Sequence, residues 1–142
     1  MWVSICSACA LAGIANGIEI NSYFYTGLLI FTLGFITEII ADNQKSKFRK
    51  DPNNKDKFIT SGIWKYSRHP NYLGEMLLWW GLYFMTISVD INYWYLFICP
   101  LIMNLMFSLI TCQMMDNRSL ERRPDYADYM KSTRQLIIWR SN

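Results

Sequence analysis

Apolar positions in this chain are gathered into long stretches and do not alternate finely with polar ones. Ser22–Ala41 carries a single charge, Glu38, near one end. Tyr93–Met115 carries none, and its Pro100 reads as a kink, not a break. Leu73–Val89 is shorter, with only Glu75 near its start, and Trp2–Ile18 is the weakest stretch, holding Gly13 and Gly17. A helix needs about 20 apolar residues to cross a bilayer core of about 30 Å. The pattern therefore predicts an all-α fold: a multi-pass transmembrane bundle of about four spans forming a single membrane domain over residues 1–142. For the first stretch a signal peptide is the alternative, although it lacks a basic leading region. Short turns without cations at Asn21-Ser22 and Asp90-Ile91-Asn92 pair the four stretches into two hairpins.

Charge sharpens this picture. Every one of the 14 Lys and Arg residues falls in two windows, eight in 42–72 and six in 116–142. Two hairpins put both windows on one side, and the excess of cations makes that side cytoplasmic. The 42–72 segment then reads as a cytoplasmic loop, with a turn at Asp51-Pro52-Asn53-Asn54. Mixed charges at helical spacing after residue 115 read as an exposed amphipathic C-terminal helix at the headgroups. Tyr93, Trp94 and Tyr95 suit an aromatic belt at the far interface, and Trp64 and Tyr66 one at the near interface. With 52% hydrophobic and 18% charged residues the chain is not disordered. Its net charge of +3 describes membrane orientation, not affinity for nucleic acid. Cys6 and Cys9 form a CxxC inside an apolar run, and Cys99 and Cys112 lie inside another, so the thiols read as reduced packing residues holding neither metal nor disulfide.

Three constellations could carry chemistry. The densest is Ser67-Arg68-His69-Pro70-Asn71-Tyr72-Leu73-Gly74-Glu75. Pro70 suits the first turn of a helix, which places Asn71 and Glu75 one turn apart on a face. A carboxylate about a turn into the membrane is expensive and points to function. It is equally served by an ion pair with Arg68, and His69 by a capping role. The second is Glu38, Asp42, Lys45 and Arg49, at steps of four, three and four. These form one stripe on a helix, either a solvated end with weak ion pairs or a grip for a phosphate-bearing ligand. The third is the tail, from Asp116 and Arg118 through Glu121, Arg122, Arg123, Asp125, Tyr126, Asp128 and Tyr129 to Lys131, Thr133 and Arg134, where clustered Arg and Tyr suit an anionic cofactor. Neither GxGxxG nor GxxxxGK occurs, so any nucleotide must be gripped by side chains between helices.

The run Gly62-Ile63-Trp64-Lys65-Tyr66-Ser67-Arg68-His69-Pro70-Asn71-Tyr72-Leu73-Gly74-Glu75, followed by Trp79-Trp80-Gly81, resembles the hallmark segment of the steroid 5-alpha-reductase C-terminal superfamily. The likeness extends upstream through Glu38–Lys45 and downstream through Arg122–Tyr129 and Thr133, covering about residues 22–139, and is closest to the superfamily's uncharacterised branch. It implies NADPH held at the cytoplasmic ends of membrane helices, and hydride transfer to a carbon–carbon double bond of a sterol-like or other lipid. In a eukaryote it implies the endoplasmic reticulum membrane. Asn71 and Glu75 would meet the nicotinamide end with Tyr72 beside them, Tyr72 and Glu75 being the candidates for catalysis. Asp42 and Arg49 would hold the adenosine-phosphate end, with Arg118, Arg122 or Arg123 closing from the tail. Glu38, Lys45, Arg68 and His69 complete the expected cofactor set.

The resemblance also leaves two departures. Family members carry further N-terminal helices that complete a lipid pocket, so the expectation here is of the cofactor-binding half. The tail reads Leu136-Ile137-Ile138-Trp139 where the family commonly has a proline before the aromatic. Two other readings stand beside the reductase. One is an S-adenosylmethionine-dependent membrane methyltransferase of the isoprenylcysteine or phospholipid kind, which shares an Arg-His-Pro turn but has a Glu-Glu pair where this tail has Glu121 alone. The other is a non-catalytic membrane fragment or partner subunit. No sequence feature sets an oligomeric state.

Overall fold

The structure, a computed structural model, describes residues 20–136. The first apolar stretch, the Cys6–Cys9 pair and the end of the tail lie outside them. Helix α1 is Ser22–Lys50, α2 is Pro70–Val89, α3 is Ile98–Met106, α4 is Cys112–Arg122 and α5 is Tyr126–Ser132. A 3-10 segment at Ile91–Phe97 leads into α3, and a π-helical stretch at Phe107–Thr111 joins α3 to α4. Among the described residues there is no strand beyond a single bridge at Thr133.

The turns expected from sequence are built by side-chain caps. Asn21 Oδ1 accepts from the backbone N–H of Tyr23 and Phe24 at 3.0 and 3.2 Å, satisfying two of the orphan donors at the start of α1. Asp90 and Asp51 do the same for Asn92 and Asn53 at 2.8 and 2.9 Å. Pro70 is the first residue of α2. There its missing N–H has no helical partner to lose.

Two compact units divide the chain, one formed by residues up to Phe35 with Gly74–Asn104, the other by Ile36–Leu73 with Leu105 onward. In the first, α1 and α2 run antiparallel, closed at one end where Asn21 Nδ2 donates to the Ser88 carbonyl at 2.8 Å. Glycines let the two backbones approach. A Cβ on Gly27 would lie 2.7 Å from the Gly81 carbonyl oxygen, and one on Gly34 the same distance from that of Gly74. In the second unit the core is Ala41, Ile59 and Trp64, with Phe48 and Ile63 packed against it.

Ser22–Lys50 and Ile91–Arg122 are long and apolar enough to cross a membrane, and only 17% of each apolar window is buried. Leu28, Leu29, Leu33, Ile36 and Ile39 of α1 are exposed, as are Ile102 and Leu105 of α3 and Leu109 and Ile110 just after it. Soluble monomers rarely carry so large a contiguous apolar surface. Hydrocarbon matches it and water does not.

Four expectations are corrected. The 42–72 segment is not all loop, because α1 continues to Lys50. Trp64 is not at an interface but buried, 3% exposed. The amphipathic C-terminal helix is two helices, with Arg123 extended at φ −147° and ψ 92° between them. Pro124 imposes that break, since its ring disfavours the helical region for the residue before it. The tail is not an exposed surface either, because Asp116, Tyr126 and Tyr129 are buried.

Replacing Gly34 with Val forces apart backbones with no room to spare and costs about 1–3 kcal/mol or more. The thermal unfolding midpoint in detergent should fall well below that of the exposed control Leu29→Val.

Candidate functional site

The second unit builds its site on Trp64. Gly62 adopts φ +63°, and a Cβ there would meet Gln44 Oε1 at 2.2 Å, so any larger residue would be strained and would push Gln44 aside. Gln44 Oε1 in turn accepts from the Ile63 N–H at 3.0 Å. Trp64 is thereby swung against α1, where its indole N–H donates to the Ala41 carbonyl at 3.1 Å. Lys45 Nζ sits 4.8 Å from the centre of its ring, a cation–π contact. The Tyr129 hydroxyl donates to the Trp64 carbonyl, and α5 closes the other side.

Behind this wall lies Asp116, 2% exposed. Its Oδ2 accepts from Arg68 Nη2 at 2.8 Å. Its Oδ1 meets His69 Nε2 at 2.8 Å and accepts from the Tyr126 hydroxyl at 2.8 Å. Arg68 extends the network, its Nη1 donating to the carbonyls of Met130 and Thr133 at 2.9 and 2.7 Å. Backbone N–H groups of Arg68 and His69 reach the carbonyls of Arg134 and Gln135 at 3.0 and 3.1 Å. One carboxylate thus joins the Arg-His-Pro turn to α4 and α5. Burial, and then the Asp116 charge, push the Tyr126 phenol above its ordinary range, and burial raises that of Tyr129, so both stay protonated donors.

In front of the carboxylate opens a pocket of about 310 Å³. Its charged lining is Lys45, Arg49, Lys57, Arg68, Arg118, Arg122 and Arg123, with no Asp or Glu among the lining residues. Aromatic walls come from Phe48, Phe58, Trp64, Tyr72, Tyr126 and Tyr129. Phe58 packs edge-on against Tyr126 at 5.0 Å, and the Arg123 guanidinium lies 5.9 Å above the Phe58 ring. Arg123 Nη1 also donates to the Lys57 carbonyl at 2.6 Å, tying the loop after α1 to the corner between α4 and α5. Cations beside aromatic faces are the chemistry that suits an anion with a flat aromatic part.

Of the residues expected from sequence, Lys45, Arg49, Arg68, His69, Tyr72, Arg118, Arg122 and Arg123 come together around this pocket. Glu38, Asp42, Asn71 and Glu75 are not among its lining residues. Asp42 is exposed, Glu38 half-buried, and Glu75 belongs to the other compact unit. Asn71 Oδ1 is buried without a hydrogen-bond partner. The carboxylate that pairs with Arg68 is Asp116, not the Glu75 considered above. Sequence reasoning also passed over Lys57 and Phe58, which sit in a polar stretch with no periodicity. Tyr126 and Tyr129 carried a usable signal, since two tyrosines three apart share a helix face.

The family model described as "protein of unknown function (DUF1295)" matches residues 1–133. The chain belongs to the DUF1295 family. That family is steroid 5-alpha-reductase-like, and curated relatives carry names of that kind. Steroid 5-alpha-reductase DET2 of Gossypium hirsutum is 34% identical over 65 residues, 46% of this chain and 25% of that protein. Delta(14)-sterol reductase ERG24B of Gibberella zeae is 36% identical over 61 residues, 34% of this chain and 13% of that protein. A protein named "Probable O-methyltransferase ustE", from Ustilaginoidea virens, is 39% identical over 70 residues, 48% of this chain and 25% of that protein. The alignments span a quarter or less of these relatives' lengths. No solved structure matches.

Removing Asp116 leaves Arg68 and His69 buried without their carboxylate, and breaking such a pair from one side costs about 3–5 kcal/mol. Asp116→Ala should therefore lower the unfolding midpoint sharply. The double variant Asp116→Ala with Arg68→Met should recover part of the loss, so a double-mutant cycle reads the coupling. Raising pH past the ordinary tyrosine value of about 10 should destabilise the fold. Unfolded tyrosines ionise there while Tyr126 and Tyr129 hold their protons, so the native state binds more protons.

Proposed function

We propose that this chain is the NADPH-binding portion of a membrane reductase that saturates a carbon–carbon double bond in a sterol-like or other lipid. The observation that carries the reading is the pocket wall, which has seven Lys and Arg residues, no carboxylate and six aromatic rings. NADPH offers three phosphate groups and two flat rings. The residues fit it on a further point: the buried, unpartnered Asn71 Oδ1 is an acceptor suited to a carboxamide N–H.

At about 310 Å³ the pocket is near the lower bound of small-molecule sites, which run from about 300 to 1,000 Å³. It suits the adenosine-phosphate portion. Lys45 and Arg49 of α1 and Arg118, Arg122 and Arg123 of the tail would hold the phosphates, doing with side chains what a glycine-rich turn does elsewhere. Asn71, Tyr72 and Glu75, which follow one another in the first two turns of α2, would take the nicotinamide end. When bound, the cofactor supplies the hydride. The chain's part is to bind and orient the dinucleotide, and Tyr72 or Glu75 is the proposed holder of the balancing proton. Asp42 and Glu38 precede Lys45 on the same α1 stripe and belong to the approach to the site.

The names of the sterol reductase and 5-alpha-reductase relatives support this reading. They also support an integral membrane protein of lipid metabolism, in the endoplasmic reticulum of a eukaryote, while the two cationic windows are the ground for placing the 42–72 segment and the C-terminus on the cytoplasmic side. A second reading, an S-adenosylmethionine-dependent methyltransferase, is favoured by the match to ustE. Electrostatics weighs against it, because S-adenosylmethionine carries a sulfonium and an ammonium against one carboxylate, a poor partner for seven cations.

Titration of the detergent-purified protein, followed by its intrinsic tryptophan fluorescence, should show saturable binding of NADPH, weaker binding of NADH, and weakening of both with salt. Arg122→Glu should cost at least about tenfold in NADPH affinity, the scale of a charge-assisted hydrogen bond. Binding of S-adenosylmethionine but not NADPH would reverse the ranking. Binding of neither would favour a non-catalytic subunit.

A further inference from the structure

His69 is the only histidine in the chain. Its ring lines the pocket, yet one of its nitrogens is already committed, because Nε2 lies 2.8 Å from Asp116 Oδ1. A carboxylate offers only lone pairs, so Nε2 must carry the hydrogen in that contact. The same oxygen accepts from Tyr126, and the other is held by Arg68, which leaves the carboxylate no freedom to turn. The imidazole is also clamped by stacking. Its plane lies 24° from that of Tyr72 at 5.7 Å, and Tyr72 lies 19° from Phe107 at 5.1 Å. Phe107 opens the π-helical stretch, and such widened turns often mark functional sites.

Ring position and hydrogen placement together decide what His69 presents. Lys and Arg side chains are donors only, and they make up the charged wall. The Tyr126 hydroxyl donates to Asp116, and that of Tyr129 to the carbonyls of Trp64 and Ser67. Hydroxyl oxygens of Tyr72, Ser119, Tyr126 and Tyr129 can accept as well as donate, whereas Nδ1 of His69, with Nε2 protonated, offers the wall a fixed lone pair that only accepts. A wall of donors alone suits bare phosphate. An acceptor among them suits a phosphate ester that also carries a donor.

We propose that Asp116 is a positioning residue that fixes His69 with Nε2 protonated, so that Nδ1 accepts a hydrogen bond from a hydroxyl of the bound ligand's sugar. This deepens the reading of the pocket as a nucleotide site and rests on it. It assigns His69 to ligand selection, separating a nucleoside phosphate from inorganic polyphosphate. It gives Asp116 an effect on binding without a contact to the ligand.

The test uses the intact chain with ¹⁵N-labelled imidazole at mildly alkaline pH. The ligand-free protein should show Nε2 protonated and Nδ1 bare. Asp116→Asn, whose amide can donate or accept, should give a mixture of both forms, and Tyr126→Phe should leave the wild-type form in place. Saturating NADPH should move the Nδ1 resonance while Nε2 keeps its proton, and inorganic pyrophosphate should not reproduce that shift. His69→Phe, which preserves the stack on Tyr72, should weaken NADPH binding by about tenfold. A wild-type protein with Nδ1 protonated, or an Asp116→Asn spectrum identical to wild type, would overturn the positioning role. An unmoved Nδ1 with NADPH demonstrably bound would overturn the acceptor role and leave the nucleotide reading standing. A locked Nε2–H in a protein that ignores NADPH would uphold the positioning role and sink the nucleotide reading instead.

Discussion

A single buried carboxylate organises the second compact unit. Asp116 is reached by a guanidinium, an imidazole and a phenol that come from the Arg-His-Pro turn and from α5. A charge taken out of water to this depth is tolerable only when its lone pairs are answered. Satisfying it fixes residues far apart in sequence. Arg68 is held at both terminal nitrogens, by Asp116, Met130 and Thr133, and so serves as a strut as much as a pocket cation. The remaining cations are then free to face outward into the pocket, because the local negative charge has been placed behind the wall.

The other unit depends on the opposite kind of contact. Gly27, Gly34, Gly74 and Gly81 let α1 and α2 approach at backbone distance, and the Asn21–Ser88 hydrogen bond closes one end. Close packing of small residues is how helices associate where surrounding hydrocarbon removes the hydrophobic drive. The exposed leucines and isoleucines of α1 are consistent with that solvent.

Helices, turns and punctuation were legible in the chain because each has a local cause. Asn21, Asp51 and Asp90 cap; Pro70 starts a helix; long uncharged stretches become α1 and the Ile91–Arg122 rod. The stripe of Lys45 and Arg49 was readable as soon as α1 was allowed to run past Ala41. What could not be read was depth. Asp116 sits among Arg118, Glu121 and Arg122, and local composition makes all four look solvated. Only the return of the Arg-His-Pro turn against α4 buries the first of them. Trp64 misled for a related reason, since a tryptophan beside basic residues at a membrane edge suits either a belt or a core. The positive φ at Gly62 decides for the core. Glu75 and Asn71 were expected together from helical spacing, and the pocket wall includes neither.

A basin walled by six cations besides the paired Arg68 repels itself when nothing negative fills it. The aromatic packing of Phe58, Tyr126 and Tyr129 and the Arg123–Lys57 tie must hold it shut against that repulsion. Any small anion in the surrounding solution relieves the strain, so the choice of buffer is itself an intervention. Phosphate or sulfate in a preparation would settle against that wall, quietly stiffening the protein while masking its affinity for a larger anion.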